Sequence, residues 1–158
     1  MRRHAAGSGV FAVCLALACS PSTKTSDPLT GGWTLNLART HYGPGVDRRT
    51  KETFTCEAAG PGVACQIRSL RADGRSLLGR FAAAYDGNAY PVVGIPDLDH
   101  VSLRKVDDFT AEATFSLEGK PVFAYRSIRA RDGRSLTIVS IDPVTRTVLN
   151  SVVVYDAR

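Results

Sequence analysis

From Trp33 onward the chain is cut by turn signals at short, similar intervals: Gly60-Pro61-Gly62, Asp73-Gly74, Asp86-Gly87, Pro96-Asp97, Asp107-Asp108, Glu118-Gly119, Asp132-Gly133 and Asp142-Pro143. Successive spacings of about 10 to 14 residues leave room for a strand and its tight turn, but not for a helix crossing between parallel strands. The expected fold is therefore all-β, an antiparallel up-and-down meander of eight to ten strands.

Between the turns, polar and apolar residues alternate with the period of a half-buried strand. Leu77, Gly79, Phe81, Ala83 and Tyr85 fall on one side, with Ser76, Arg80 and Ala82 on the other. Ala111, Ala113, Phe115 and Leu117 oppose Thr110, Glu112, Thr114 and Ser116 in the same way. The pattern predicts strands near 33–38, 51–57, 63–70, 76–85, 88–93, 99–106, 110–117, 121–131, 134–142 and 146–155. So long an open meander would expose unpaired edges, so closure into a barrel is expected ahead of a curled open sheet or a sandwich.

The N-terminus carries a different signal. Met1-Arg2-Arg3-His4 is followed by an uncharged run to Ala18, a basic start and short apolar stretch that read as a secretory signal peptide over residues 1–18. The apolar run is too short to span a membrane as a helix. Two processing readings remain at its end. Ala16-Leu17-Ala18 fits ordinary signal peptidase cleavage before Cys19, whereas Leu15-Ala16-Leu17-Ala18-Cys19 resembles a bacterial lipobox, in which Cys19 is acylated. Residues 20–28 are rich in Ser, Thr and Pro, as a solvated tether is, and favour the lipoprotein. The expected organisation is a tether over 19–30 and one barrel domain over 31–158. Resemblance to bacterial lipoproteins with Ser after the acylated Cys implies an exported protein on the periplasmic face of the outer membrane.

Four cysteines then divide. Cys14 is expected to leave with the signal peptide, Cys19 is the proposed lipid site, and Cys56 and Cys65 remain as an even pair in an exported chain, most simply a disulfide. Gly60-Pro61-Gly62 lies midway between them, so a hairpin that pairs Cys56 with Cys65 also sets Phe54 opposite Ile67 on the same face.

Gly31-Gly32-Trp33-Thr34-Leu35-Asn36-Leu37 resembles the G-x-W opening of lipocalins and related calycin barrels. Together with Tyr85-Asp86-Gly87-Asn88-Ala89-Tyr90-Pro91-Val92, Val101-Ser102-Leu103-Arg104-Lys105-Val106-Asp107 and Arg131-Asp132-Gly133-Arg134-Ser135-Leu136-Thr137, it is similar to a group of small exported bacterial proteins described as lipocalin-like. The resemblance implies a closed barrel with Trp33 shutting one end. It brings no activity with it.

Chemistry-bearing motifs are sparse. Asp97-Leu98-Asp99-His100 places metal- or proton-competent groups together, but in a Pro-containing turn where Asp serves the backbone; His41-Tyr42 reads as loop. No G-x-S-x-G, H-E-x-x-H or phosphate-binding loop occurs, so neither catalysis nor a cofactor or metal is expected. Removing residues 1–18 lowers the formal net charge from +5 to +3, and the arginines are not interleaved with aromatics, which argues against nucleic acid. The interior is left as the place for function. Trp33, Phe54, Ile67, Phe81 and Phe115 are expected to face inward, where they either line a pocket for a small apolar ligand or fill the core of a structural or interaction module.

Overall fold

The computed structural model describes residues 27–44, 46 and 48–158. The segment read as a signal peptide, Cys19 and most of the expected tether lie outside them. Ten strands follow one another: β1 (Gly31–Leu35), β2 (Arg49–Ala59), β3 (Gly62–Arg71), β4 (Ser76–Ala84), β5 (Tyr90–Val93), β6 (His100–Lys105), β7 (Thr110–Leu117), β8 (Lys120–Arg129), β9 (Ser135–Ile141) and β10 (Val148–Ala157). Each pairs antiparallel with its sequence neighbours, and β1 pairs with β10 to close the barrel. The all-β, closed, up-and-down architecture expected from turn spacing is thus the observed one.

Aspartate supplies most of the turn chemistry. Carboxylates of Asp73, Asp86, Asp107, Asp132 and Asp142 each accept the amide N–H two residues on, a local bond that competes with strand continuation. These amides hold Asp73, Asp86 and Asp107 below the usual carboxylate range, and the Thr145 amide, with that of Val144, does the same for Asp142. Asp73-Gly74 and Asp132-Gly133 use the same device, each with its glycine at positive φ, which accounts for the similarity between residues 69–77 and 127–136.

The β2–β3 hairpin has the register the cysteine spacing required. Cys56 pairs with Cys65 and is disulfide-bonded to it, and Phe54 pairs with Ile67. Alternation on β4 is also as expected, with Gly79, Phe81 and Ala83 buried and Ser76, Arg80 and Ala82 exposed.

Strand bounds shift by one to three residues from expectation at several ends, and three differences have a clear physical cause. β1 stops at Leu35 because Asn36 caps a 3-10 turn over Leu37–Arg39, its side chain accepting the Arg39 amide. Leu117, expected inside, is 37% exposed, lying past a register shift between β7 and β8 at the end of the wall. The folded body begins before Gly31, since Pro28 and Leu29 are fully buried.

That N-terminal segment closes one end of the barrel. The indole of Trp33 donates to the Leu29 carbonyl (3.0 Å), and Arg129 lies 5.3 Å from the Trp33 ring centre while donating to the carbonyls of Asp27 and Thr30 (3.1 and 2.8 Å). The Tyr85 hydroxyl donates to the Asp27 carboxylate at 3.0 Å. Burial of Leu29 alone contributes roughly 1.5–3 kcal/mol. Further in, Phe115 is the hub of an aromatic cluster, with the rings of Phe81, Phe123 and Tyr125 centred 5.8–6.0 Å from it.

Outside the wall, Glu112 accepts from Arg126 (2.7 Å) and Arg146 (2.5 Å). With Arg75 on Asp73 and Arg131 over the Phe109 ring, several arginines are thus engaged in local structure.

Replacing both Cys56 and Cys65 by Ala removes the closure of a short hairpin loop and is expected to lower the unfolding free energy by about 2.5–3 kcal/mol. Chemical denaturation measures this; a loss under about 1 kcal/mol would show that the hairpin holds its register without the covalent link.

Candidate functional site

The two ends of the barrel are unlike. Opposite the Trp33 cap, between the starts of β2, β4 and β8 and the end of β3, a cavity of about 290 Å³ opens, with Ile67, Leu77, Ile95 and Phe123 as its apolar walls and Arg49 and Glu52 on its polar side. Sharing Arg49, Glu52, Ile67 and Phe123, a smaller pocket of about 60 Å³ continues inward and adds Tyr125, Ser140 and Tyr155.

Strand periodicity delivers these residues. On β2, Glu52, Phe54 and Cys56 share the inner face, so an acid two residues before a core phenylalanine must point into the barrel. Its carboxylate is satisfied there. Oε1 accepts from Arg49 Nη1 (2.9 Å) and from the Tyr155 hydroxyl, and Oε2 accepts from the Ser69 hydroxyl (2.7 Å). Glu52 is 5% exposed. A buried carboxylate is tolerable only with such compensation.

The partners are tuned by the same packing. Burial pushes the Arg49 guanidinium down, but the charge of Glu52, the neighbouring Tyr155 and Tyr42 and the hydrogen bond to Glu52 together outweigh this and the net displacement is upward, so Arg49 remains cationic. Burial, then the neighbouring Glu52 charge, push the Tyr155 hydroxyl well above its ordinary value, which keeps it a donor. Burial and Glu52 likewise push Tyr125 up. Arg49 also lies over the Tyr42 ring (5.9 Å), and the Tyr42 hydroxyl donates to the Arg49 carbonyl at 3.3 Å.

A strap crosses beside this opening. After β5 the chain turns at Gly94, which has φ +79° and whose Cα hydrogen faces the Leu78 carbonyl so closely that a Cβ would come within 2.1 Å of it. The turn lays Ile95 over Gly79 of β4, where a Cβ would stand 2.5 Å from Ile95 Cγ1. The absence of a side chain at Gly79 is what lets Ile95 enter the opening.

The five inward residues singled out from sequence separate into two groups. Phe54 and Ile67 reach these two cavities and Phe81, though part of the core, borders a separate pocket of about 680 Å³ along β2–β5, whereas Trp33 and Phe115 belong to the packed interior, Trp33 as the cap of the far end. Asp99 turns its carboxylate to the Glu118 amide (2.8 Å) and lies 3.0 Å from His100 Nδ1, while Asp97 takes a left-handed turn conformation. No group of three or more His, Cys, Asp or Glu side chains comes together among the described residues. Arg49, Glu52, Ser69, Tyr125, Ser140 and Tyr155 were not singled out. The available signal was Glu52 in phase with Phe54 and Cys56, which the Cys56–Cys65 register also sets opposite Ser69.

Comparison with family models, with curated proteins and with solved structures found no match.

Gly79→Ala is expected to push Ile95 from its seat and cost about 1–3 kcal/mol of stability. Adding Ile95→Ala should return part of that loss, and a double-mutant cycle by chemical denaturation with no coupling between the two positions would contradict the contact.

Proposed function

We propose that the chain is an exported, lipid-anchored envelope protein whose barrel takes a small, largely apolar molecule into its open end. The observation that carries the reading is the asymmetry of the barrel. One end is shut by Trp33, Leu29 and Arg129, and the other opens into a cavity of about 290 Å³ with aliphatic and aromatic walls. That volume is near the lower edge of the range of roughly 300–1,000 Å³ usual for small-molecule sites. Trp33 at the shut end is in keeping with the lipocalin-like resemblance. The anchor reading rests on Cys19 after an apolar segment, and the Cys56–Cys65 bond suits an oxidising compartment. The chemistry of the opening supports binding, with no catalytic group required.

Mass spectrometry of organic extracts from purified protein, with titration of a fluorescent fatty-acid probe after delipidation, tests the ligand. Stoichiometric binding that is lost in Leu77→Trp, a substitution that fills the opening, is the expected result. No binding to the delipidated wild type would leave a filled structural or interaction module as the reading. For the anchor, radioactive fatty acid should be incorporated by the wild type and not by Cys19→Ala; an unlabelled wild type would leave a released, soluble product.

A further inference from the structure

The pocket of about 60 Å³ beneath the cavity is too small for more than a head group, and it sets Arg49, Glu52, Tyr125, Ser140 and Tyr155 against the apolar Phe54, Ile67, Phe123, Ile138 and Val153. Its polar complement is also unusual in being balanced. The Arg49 guanidinium and the Glu52 carboxylate are paired at 2.9 Å, so the walls carry one charge of each sign. A ligand carboxylate entering here meets Glu52, and a ligand ammonium meets Arg49. Because the two wall charges cancel, either ion loses hydration without gaining a net counter-charge, and each is disfavoured.

An uncharged group that both donates and accepts meets no such opposition. Glu52 Oε2 holds a single described donor, Ser69, and retains acceptor capacity. Tyr125 and Ser140 bring two hydroxyls to the same space, and among the described residues neither side chain makes a hydrogen bond to another. Both residues are more than nine-tenths buried. Both residues line the pocket, so a ligand hydroxyl can pair with theirs while its chain lies along Ile67, Leu77 and Phe123.

We propose that this inner pocket seats a neutral hydroxyl, so that the ligand is an uncharged, hydroxyl-bearing amphiphile and not the free acid or amine of the same chain. The inference rests on the binding role proposed for the open end, and it names the ligand class.

Isothermal titration calorimetry of the delipidated protein at about pH 7.5, where octanoate is anionic and octylamine cationic, compares 1-octanol with both. Octanol should bind at least about tenfold more tightly than either charged congener. In Glu52→Gln the hydrogen-bonding shape is kept but Arg49 loses its counter-charge, so octanoate should gain at least about tenfold relative to octanol. Equal or tighter binding of octanoate or octylamine by the wild type overturns the proposal, as does an unchanged ratio in a Glu52→Gln variant with native near-ultraviolet circular dichroism. Should that variant fail to fold, the wild-type comparison decides alone. If none of the three binds, the binding role of the open end falls, and the head-group assignment with it.

Discussion

Everything in this molecule depends on a five-residue strand serving two neighbours. β1 hydrogen-bonds to β2 on one side and to β10 on the other, with Trp33 opposite Phe54 in the first ladder and Ala157 in the second. Were that double pairing lost, the sheet would present two open edges and its interior would lose its enclosure. So short a strand closes a barrel only with help. Beyond its end the Asn36 amide bonds to Val154, and the His41 backbone exchanges two bonds with Val152, extending the contact with β10. At the other end Arg158 reaches back, its amide donating to Gly32 and its guanidinium to Thr55.

Closure also fixes what each end can do. The segment before β1 enters across the barrel and is held by its own carbonyls, which take the Trp33 indole and the Arg129 guanidinium. Stabilising contacts are thus concentrated where the chain enters. At the opposite end the aromatic cluster around Phe115 gives way to Phe123, Ile67 and a charged pair. A buried Arg49–Glu52 pair contributes little net stability compared with well-packed apolar residues. Its value is the polarity it sets at a defined depth.

Fold and site were legible to different degrees, for physical reasons. Turn chemistry is local, so Asp73-Gly74 or Asp132-Gly133 announces a reversal without knowledge of the rest of the chain. Register across one hairpin was equally accessible, because a disulfide between Cys56 and Cys65 leaves one alignment. The cavity was harder to read, because it depends on which inward residues meet across the barrel. Phe81 and Phe115 look like Phe54 in sequence, yet they pack on each other, and Phe115 on Tyr125 as well, while Phe54 borders the inner pocket. Ile95 escaped notice because its place over Gly79 comes from the turn at Gly94 and from no periodicity. Glu52 was readable as a charge in phase with core residues, but its partners on β3 and β10 lie 17 and 103 residues further along the chain.

β5 has only four residues, and its ladder consists of two residue pairs with β4 and two with β6, one of them at Pro91, which donates no hydrogen bond. This strand leads directly into Gly94 and Ile95 at the edge of the opening. The thinnest part of the wall and the residue that occupies the opening are therefore one continuous stretch of backbone. So short a ladder is of the kind that opens locally, without global unfolding. A molecule could pass in or out by displacing that stretch alone, while the ladders from β6 round to β4 by way of the closing strand stayed intact.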